Sequence, residues 1–316
     1  MTGAGPPLPR RLLHTGNVVI DIVLDVPGLP ERGGDVLATR TETTPGGGFN
    51  VMVAAARQGM PVAYAGAHGT GPFGDQARAA LRAEGIEILV APRTELDTGF
   101  VTCLVEPEGE RTFTTSPGAE ATLRPADLAR IAPAPDDFVY VSGYSLLHPS
   151  NRAALTEWLP HLPEATTVVV DPGPLADHIP AETLDLLLTR ADWWSCNQRE
   201  AALLTGADDP RTAAHALAAR LTRGSALVRT GPDGCIVLHG NVLRPVPGFT
   251  VHAVDLNGAG DAHTGAFIAA LAQGLDPFAA ARRANAAAAL ATTVRGPATA
   301  PDLRTLDEFL HDPSFG

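Results

Sequence analysis

The sequence contains no lysine, and all 23 of its basic residues are arginines. This absence excludes the phosphate-binding lysine of Walker-type loops and Schiff-base catalysis, because both depend on a lysine amine. The net charge is −12, and the arginines form no basic cluster of the kind that binds nucleic acid. We therefore expect no nucleic-acid partner.

Cysteines and long apolar runs are also scarce. Cys103, Cys196 and Cys235 lie far apart, which favours buried thiols in a reducing compartment over a disulfide framework or a zinc site. The best candidate for a membrane span, residues 284–291, is far shorter than the roughly 20 residues required. Residues 1–11 are rich in glycine and proline, lack an apolar signal core and are predicted to form a disordered tail. These features favour a cytoplasmic protein without a membrane partner.

The remaining residues, 12–316, are predicted to form a single α/β domain. Short apolar runs that favour strands alternate with helical stretches, which is typical of a mostly parallel sheet covered by helices on both faces. The clearest runs are residues 139–142, 166–171, 192–195 and 226–229. The alanine-rich stretch 279–291 is predicted to be a helix that packs tightly against this framework.

Two regions depart from that alternation and are predicted to form a small β-lid. Residues 21–45 and about 98–117 combine turn signals with alternating β-forming residues. Within the second region, Glu108 and Gly109 separate two such runs and predict a hairpin turn.

The most informative segment has the sequence Asp-Leu-Asn-Gly-Ala-Gly-Asp and spans residues 255–261. It follows a run that favours a strand, residues 250–254, and it opens an apolar helix. Gly258, Ala259 and Gly260 are therefore predicted at a helix N-terminus, where unpaired amides attract anions and small residues let a phosphate approach.

Asp261 follows these three residues in the predicted first helical turn. A carboxylate beside a phosphate-binding turn can accept the proton of an attacking hydroxyl group. The alternative is that Asp261 only caps the helix and the glycines only form a tight turn. Three further segments favour the catalytic interpretation.

Each of these three segments combines polar groups or glycines with the start of a new element. Residues 45–50, Pro-Gly-Gly-Gly-Phe-Asn, precede a helix and could bind a polar ligand, or form a flexible turn capped by Asn50. Glu200 could hold a Mg²⁺-bound water, or it could close a capping box with Asn197 as the cap. Residues 228–234 could lie against a nucleotide, or form an ordinary hairpin.

With these segments in order, the sequence resembles the PfkB, or ribokinase-like, family of carbohydrate kinases. The family's C-terminal signature, Asp-x-x-Gly-Ala-Gly-Asp, matches residues 255–261 in full. Its N-terminal signature matches residues 46–75, and its Asn-x-x-Glu motif matches residues 197–200. The resemblance covers residues 12–311. It implies a three-layer α/β sandwich with a sheet of eight or nine strands, and a β-lid that often forms a homodimer interface.

The resemblance also implies roles for individual residues. Asp261 would be the general base, and Gly258, Ala259 and Gly260 would form the anion hole. The substrate would be bound by Asp21, Gly46, Gly47 and Asn50. ATP would be bound by Asn197, Glu200, Arg229, Gly231 and Asn285, and Glu200 would also contact Mg²⁺ through a water molecule. A K⁺ ion would be bound, mainly through backbone oxygens, by Asp255, Asn257, Ala291, Val294 and Gly296.

Three positions depart from the family pattern. Pro45 replaces the first glycine of the Gly-Gly pair, and His263 replaces a phenylalanine and is interpreted as a packing residue. Arg229 stands where threonine or lysine is common, and it could reach a phosphate or be a solvated charge at a strand end. The acceptor stays open, as a small sugar or a nucleoside such as adenosine or pseudouridine.

Two rival functions are weaker. Residues 69–74 spell Gly-x-Gly-x-x-Gly, and Glu95 or Asp97 could serve as the ribose-binding acid of a dinucleotide site, but Pro72 interrupts the motif. A non-catalytic sugar-binding regulator on the same fold is the second rival, and the intact Asp261 argues against it.

Overall fold

The computed structural model describes residues 10–312 of the chain. Its strands are β1 Leu12–His14, β2 Val18–Asp25, β3 Arg40–Gly47, β4 Val62–Tyr64, β5 Glu87–Ile88, β6 Phe100–Val105, β7 Arg111–Ser116, β8 Phe138–Ser142, β9 Thr167–Asp171, β10 Trp193–Asn197, β11 Ala226–Arg229, β12 Gly234–His239 and β13 Val242–Pro247.

Helices follow most of these strands. They are α1 Gly48–Arg57, α2 Pro72–Ala83, α3 Pro125–Leu128, α4 Gly143–Leu147, α5 Pro149–Trp158, α6 Ala181–Arg190, α7 Gln198–Thr205, α8 Pro210–Arg220, α9 Ala259–Ala272, α10 Pro277–Thr292 and α11 Leu303–His311. Short 3₁₀ turns cover Ala119–Ala121, Leu159–His161, Ala176–His178 and Gly231–Asp233.

The larger sheet within residues 10–312 has nine strands in the order β13-β12-β11-β10-β9-β8-β1-β4-β5. In this sheet, the seven strands β11, β10, β9, β8, β1, β4 and β5 run parallel to one another, and β12 and β13 add an antiparallel hairpin at one edge. In β9 and β10 successive apolar side chains are buried on opposite faces, which is why these strands read as continuous apolar runs. The predicted α/β sandwich is confirmed.

The smaller sheet has four strands in the order β3-β2-β6-β7. It is built from the two regions in which a lid was expected, with β2 antiparallel to β3 and parallel to β6. The hairpin that joins β6 to β7 turns at Gly109, whose φ of 86° suits glycine. The β2–β3 register places Asp21 opposite Thr44, so β2 carries a carboxylate beside the Gly-rich loop at the end of β3.

Helices α1 and α9 lie on one face of the large sheet and pack directly against each other. They are in close contact at Gly265, where a methyl group would overlap the carbonyl oxygen of Val51 and the Cβ of Ala54. Only a residue without a side chain allows the two backbones to lie this close. This contact, which we call the glycine crossing, fixes the spacing between the N-terminal ends of the two helices.

Two expectations need correction. Residues 250–254 form no strand; Val254 and Asp255 donate their N–H groups to Thr292 O at the end of α10, because no neighbouring strand is available there. Of the predicted tail, residues 1–9 lie outside the described residues. Arg11, assigned to that tail, is held by an ion pair with Asp137 at 2.9 Å.

Two further expectations concern the cysteines and the membrane. Cys103, Cys196 and Cys235 are buried free thiols, as predicted. No helix in residues 10–312 is both long enough and apolar enough to cross a bilayer.

Candidate active site

Asp261 lies in the first turn of α9, where the sequence placed the general base. Its Oδ2 accepts a hydrogen bond from Asn50 Nδ2 of α1 at 3.0 Å. Burial raises the pKa of Asp261 to about 6; the Asn50 hydrogen bond lowers it by less than burial raises it, and the charges of Asp171 and Arg229 have smaller, opposite effects. A carboxylate with this pKa is ionised at neutral pH and is basic enough to accept a proton from a hydroxyl group.

The residues before Asp261 form the N-terminus of the 14-residue helix α9. Gly258 occupies the cap position with φ 76°, a conformation that other residues rarely adopt. A methyl group at Gly260 would meet Arg229 Nε only at 3.7 Å, an ordinary contact. The packing of the protein therefore does not require glycine at position 260. Because glycine has no side chain, the amides at the N-terminus of α9 stay open to an anion.

Asp21 of β2 lies beside the Gly-rich loop at the end of β3. A methyl group at Gly46 would overlap the Asp21 carboxylate, so glycine at that position leaves room for the acid. Burial raises the pKa of Asp21 to about 6, and the charge of Asp261 contributes to that rise. The two carboxylates therefore share one region of the cleft.

Gly47 and Asn50 complete this side of the site. Gly47 has φ 61° and ends β3 at the N-terminal cap of α1. Asn50 is buried, and its Oδ1 has no hydrogen-bond partner among residues 10–312. An unpaired buried oxygen is costly for a folded protein, which makes Oδ1 a candidate partner for a ligand hydroxyl.

A cavity of about 650 Å³ opens between the small sheet and the segments around Asp255 and Gly296. Its charged lining consists of the acids Asp21, Asp25, Glu42, Glu106, Glu108 and Asp255 and the arginines Arg40, Arg111 and Arg295. Each of these arginines lies within ion-pair distance of a lining carboxylate, namely Glu42 and Asp25 for Arg40, Asp255 for Arg111 and Asp25 for Arg295. The lining therefore has an excess of negative charge.

Arg229 is not a solvated strand end, and its guanidinium lies beside Gly260 at the N-terminus of α9, so the expected phosphate contact stays a prediction. Its guanidinium is mostly buried and binds Ser195 Oγ at 2.7 Å, Thr264 Oγ1 at 3.1 Å and Asp171 Oδ2 at 3.0 Å, with Glu200 Oε2 3.7 Å away. Burial alone would lower the pKa of Arg229, but the two carboxylates raise it. We call this set of five side chains the Arg229 network.

Glu200 forms the capping box, which is one of the two interpretations that the sequence left open. Its Oε2 accepts from Asn197 N at 2.8 Å, and Glu200 N donates to Asn197 Oδ1 at 2.9 Å, which forms a capping box at the start of α7. Burial and the charge of Asp171 raise the pKa of Glu200. Among residues 10–312 no group of three His, Cys, Asp or Glu side chains could hold a metal ion, and the contact of Glu200 with a Mg²⁺-bound water stays a prediction.

Asn285, which was expected near the nucleotide, and His263 are both buried and bind each other. Asn285 Nδ2 donates to Val246 O at 2.9 Å and to Pro247 O at 3.0 Å, and its Oδ1 pairs with His263 Nε2 at 3.0 Å. Burial lowers the pKa of His263 to about 3, so the ring is neutral and acts in packing. Gly231 begins a 3₁₀ turn between β11 and β12 with φ 67°.

Two of the five residues expected around K⁺, Asp255 and Ala291, already accept hydrogen bonds from other parts of the protein. Asp255 Oδ1 accepts from Asn257 N at 2.9 Å and from Arg111 of β7, and Asp255 Oδ2 accepts from Gly296 N at 3.0 Å. Burial alone would raise the pKa of Asp255, but these hydrogen bonds hold it below its usual range. Ala291 O accepts from Thr299 Oγ1 at 2.9 Å and from Val294 N, while the Val294 side chain is exposed.

Sequence reasoning missed Arg111 and three members of the Arg229 network, Asp171, Ser195 and Thr264. A signal existed for Asp171, because it is the last residue of an apolar parallel strand and the carboxyl ends of such strands meet at one edge of the sheet. Arg111 gave no signal, since its partner Asp255 is 144 residues away.

The Gly-x-Gly-x-x-Gly segment does not form a dinucleotide site. Asp97 Oδ1 accepts from Gly71 N at 3.1 Å and Gly74 N at 2.7 Å, and its Oδ2 accepts from Phe73 N at 3.1 Å. The carboxylate thus occupies the position at the N-terminus of α2 where a pyrophosphate would bind.

Comparisons with known proteins show which family has this sequence and this fold. A family model described as pfkB family carbohydrate kinase matches residues 10–304. The chain is 32% identical to an uncharacterized sugar kinase, YegV, of Escherichia coli, across 92% of this chain and 91% of the relative. It is 29% identical to a ribokinase of Bacillus subtilis, across 89% and 92%. A solved ribokinase structure from Thermotoga maritima superposes with a TM-score of 0.84 at 24% identity, across 96% of this chain and all of that one.

Proposed function

This chain belongs to the pfkB family of carbohydrate kinases, and from that premise we propose that it transfers the terminal phosphoryl group of ATP to a primary hydroxyl of an uncharged sugar. Asp261 is the proposed general base, and the amides of Gly258, Ala259 and Gly260 are the proposed anion hole. The observation that carries the proposal is the position of the Asp261 carboxylate, which lies at the open N-terminus of α9 and hydrogen-bonds Asn50.

The proposed mechanism assigns a task to each side of the cleft. Asp21, which lines the cavity, the backbone of Gly46 and Gly47, and the unpaired Oδ1 of Asn50 are the proposed partners of the acceptor hydroxyls. Asp261 accepts the proton of the attacking hydroxyl, and the amides of α9 stabilise negative charge on the transferred group. The small sheet covers the acceptor and excludes water, which would otherwise compete as a nucleophile.

ATP is the proposed phosphoryl donor, and Mg²⁺ would accompany its phosphates and offset their charge. On this chain, Glu200 would contact the waters of Mg²⁺, and Gly231 and the segment around Arg229 would lie near the nucleotide. The location of the protein in the cytoplasm and a homodimer formed through the small sheet stay predictions.

The charge of the cavity supports an uncharged acceptor. Within the described lining each arginine already pairs with a carboxylate, so no unpaired cation is available for a phosphate or a carboxylate on the sugar. Carboxylates accept hydrogen bonds from sugar hydroxyls and repel an anion. The charge pattern therefore disfavours sugar phosphates and sugar acids.

A nucleoside acceptor is less well supported. Such an acceptor needs an apolar slot for its base, and Phe49, Phe100 and Tyr144 were the sequence candidates. Phe49 is buried and Phe100 packs on Phe73 with ring centroids 5.5 Å apart. Tyr144 is about half exposed and, like Asn50 and Asp261, is not part of the cavity lining. Phe113 is the one aromatic residue in the described lining, and more than half of its surface is exposed.

A screen of ADP release by the full-length chain tests the function. Matched pairs separate the acceptor classes, such as ribose against ribose 1-phosphate and fructose against a 2-keto-3-deoxy sugar acid, with adenosine and pseudouridine alongside. We expect the best substrate to be an uncharged sugar, with kcat/KM at least about tenfold above that of its charged counterpart, which corresponds to roughly 1.4 kcal/mol. A charged sugar as best substrate would contradict the assignment, and sugar binding without ADP release would favour the regulator.

The raised pKa of Asp261 predicts a pH dependence. A general base works in its deprotonated form, so kcat/KM should be constant at neutral pH and fall as the pH drops through about 6. An unshifted aspartate would keep its activity down to about pH 4. The measurement is kcat/KM as a function of pH for the best acceptor from the screen. The control is Asp185→Asn on the exposed face of α6, which should show the same pH dependence as the wild type. A profile that is flat down to pH 4.5 would be incompatible with this base.

A further inference from the structure

The small sheet and the loop before α9 are joined by a direct ion pair. Arg111, the first residue of β7, donates through its Nη2 to Asp255 Oδ1. Asp255 is 10% exposed and Arg111 is 25% exposed, so the pair is largely shielded from water. Asp255 lies only three residues before Gly258, and the two belong to the same loop.

This pair bears on the K⁺ ion that the family resemblance implies. Asp255 supplies the only side-chain carboxylate in the expected set, and its two oxygens already accept from one guanidinium and two backbone amides. The carbonyl of Ala291 accepts from Thr299 Oγ1. A K⁺ ion on Asp255 would need these oxygens and would lie against the charge of Arg111, so the residues present do not fit it.

We propose that Arg111 provides the positive charge at Asp255 that a bound K⁺ would otherwise provide, so that the kinase works without K⁺. The inference rests on the proposed kinase function, because the ordered loop is the one that carries the anion hole. Arg111 is a positioning residue: it acts on Asp255, and Asp255 orders the turn through Asn257 N and Gly296 N.

The guanidinium also couples the loop to the small sheet. Since Arg111 is part of β7, its charge reaches Asp255 only while that strand lies against the loop. A second, more exposed contact joins the same two regions, between Arg295 Nη1 and Asp25 Oδ2 at 3.9 Å. A soluble ion would bind whether or not the sheet is in place, whereas Arg111 makes order in the anion hole depend on the sheet.

The test compares KCl with tetramethylammonium chloride at equal ionic strength, using the full-length chain. The readouts are Tm and the Kd for ATP without acceptor. For the wild-type chain we expect both to agree between the two salts, with Kd values within about twofold. A K⁺-specific rise in Tm, or ATP binding at least about fivefold tighter in KCl, would overturn the proposal without any variant.

The variant Arg111→Met removes the charge and retains much of the side-chain length. We expect its ATP affinity to fall at least about fivefold in tetramethylammonium and to recover in KCl, because the freed Asp255 carboxylate becomes available to the ion. Arg111→Lys keeps the charge and should stay insensitive to the choice of salt. Arg124→Met, which alters an exposed arginine 3.7 Å from Glu95, is the control and should behave like the wild type.

An Arg111→Met variant that binds ATP like the wild type in both salts would refute the positioning role. These outcomes are separate from a failure of the kinase assignment. A chain that does not bind ATP in any salt would refute the proposed function, whereas the comparison of Tm values in the two salts would still report on Arg111 and Asp255.

Discussion

Asp261→Asn should lower kcat by about 10²- to 10⁴-fold, the usual contribution of a positioned general base. Asparagine keeps the shape of the side chain, and its Oδ1 can still accept from Asn50 Nδ2. It cannot accept the proton of the acceptor hydroxyl. The loss should therefore appear in kcat, while the Kd for the sugar changes little. Steady-state kinetics combined with a direct sugar-binding measurement separates the two.

The stability of the same variant gives an independent readout. The folded-state pKa of Asp261 is raised from 3.8 to about 6, so its ionisation lowers the stability of the folded chain progressively between about pH 4 and pH 6, and the loss is constant above that range. Asparagine carries no such penalty. We expect Asp261→Asn to have a higher Tm than the wild type near pH 8, with a difference that shrinks below pH 6.

A merely structural role for Asp261 gives the opposite pattern. If the carboxylate only caps α9, its replacement should lower the Tm and leave the rate of those molecules that remain folded nearly unchanged. Asp185→Asn, at an exposed position on α6, should change neither quantity. Near-normal turnover by Asp261→Asn would remove the basis of the proposed mechanism.

Arg229→Met should lower the free energy of unfolding by about 3 to 5 kcal/mol, because it leaves the carboxylates of Asp171 and Glu200 buried without their cation. Methionine fills part of the volume but cannot bind Ser195 or Thr264. The measurement is urea denaturation with a constant m-value. Arg223→Met is the matched control, since Arg223 is 38% exposed and pairs with Asp192 at 2.9 Å. Its effect should be below about 1 kcal/mol.

Two further results would test this explanation. Asp171→Asn in the Arg229→Met background should restore part of the lost stability, because it removes one of the unpaired charges. The positive charge of Arg229 lowers the pKa of Asp261, so the acid limb of the Arg229→Met profile should move above that of the wild type. If Arg229→Met were as stable as the wild type and its kcat/KM fell at the same pH, the proposed role of the Arg229 network would be wrong.

The signature of residues 255–261 predicted the start of α9 and the place of Asp261, the proposed base, in its first turn, because these features are local. The glycines, the alanine and Asp261 act through one helix N-terminus, and each is recognisable from its neighbours. The alternation of apolar runs and helices likewise predicted the sheet. Residues 250–254 were assigned to a strand because β-forming residues are frequent there, but pairing requires a neighbouring strand that the fold does not supply.

Contacts between distant segments could not be predicted from the sequence. The Arg229 network draws on three strands and two helices, and no spacing in the sequence links Asp171 to Arg229. Arg111 and Asp255 meet only because the small sheet folds over the loop. Asp97 shows the same limitation, since the Gly-x-Gly-x-x-Gly pattern is real but a carboxylate from the protein itself occupies its anion site.

The glycine crossing has a consequence for how this chain could be re-engineered. Because backbone meets backbone at Gly265, the separation between Asn50 and Asp261 does not depend on which side chains line the cavity above them. The distance between Asn50 and the proposed base is thus set by two helices in contact, whereas acceptor recognition and, through Arg111, the order of the loop before α9 depend on the strands of the small sheet. Exchange of the β6–β7 hairpin tip, residues 106–110, for that of a relative should alter acceptor preference while leaving the proton-transfer geometry intact.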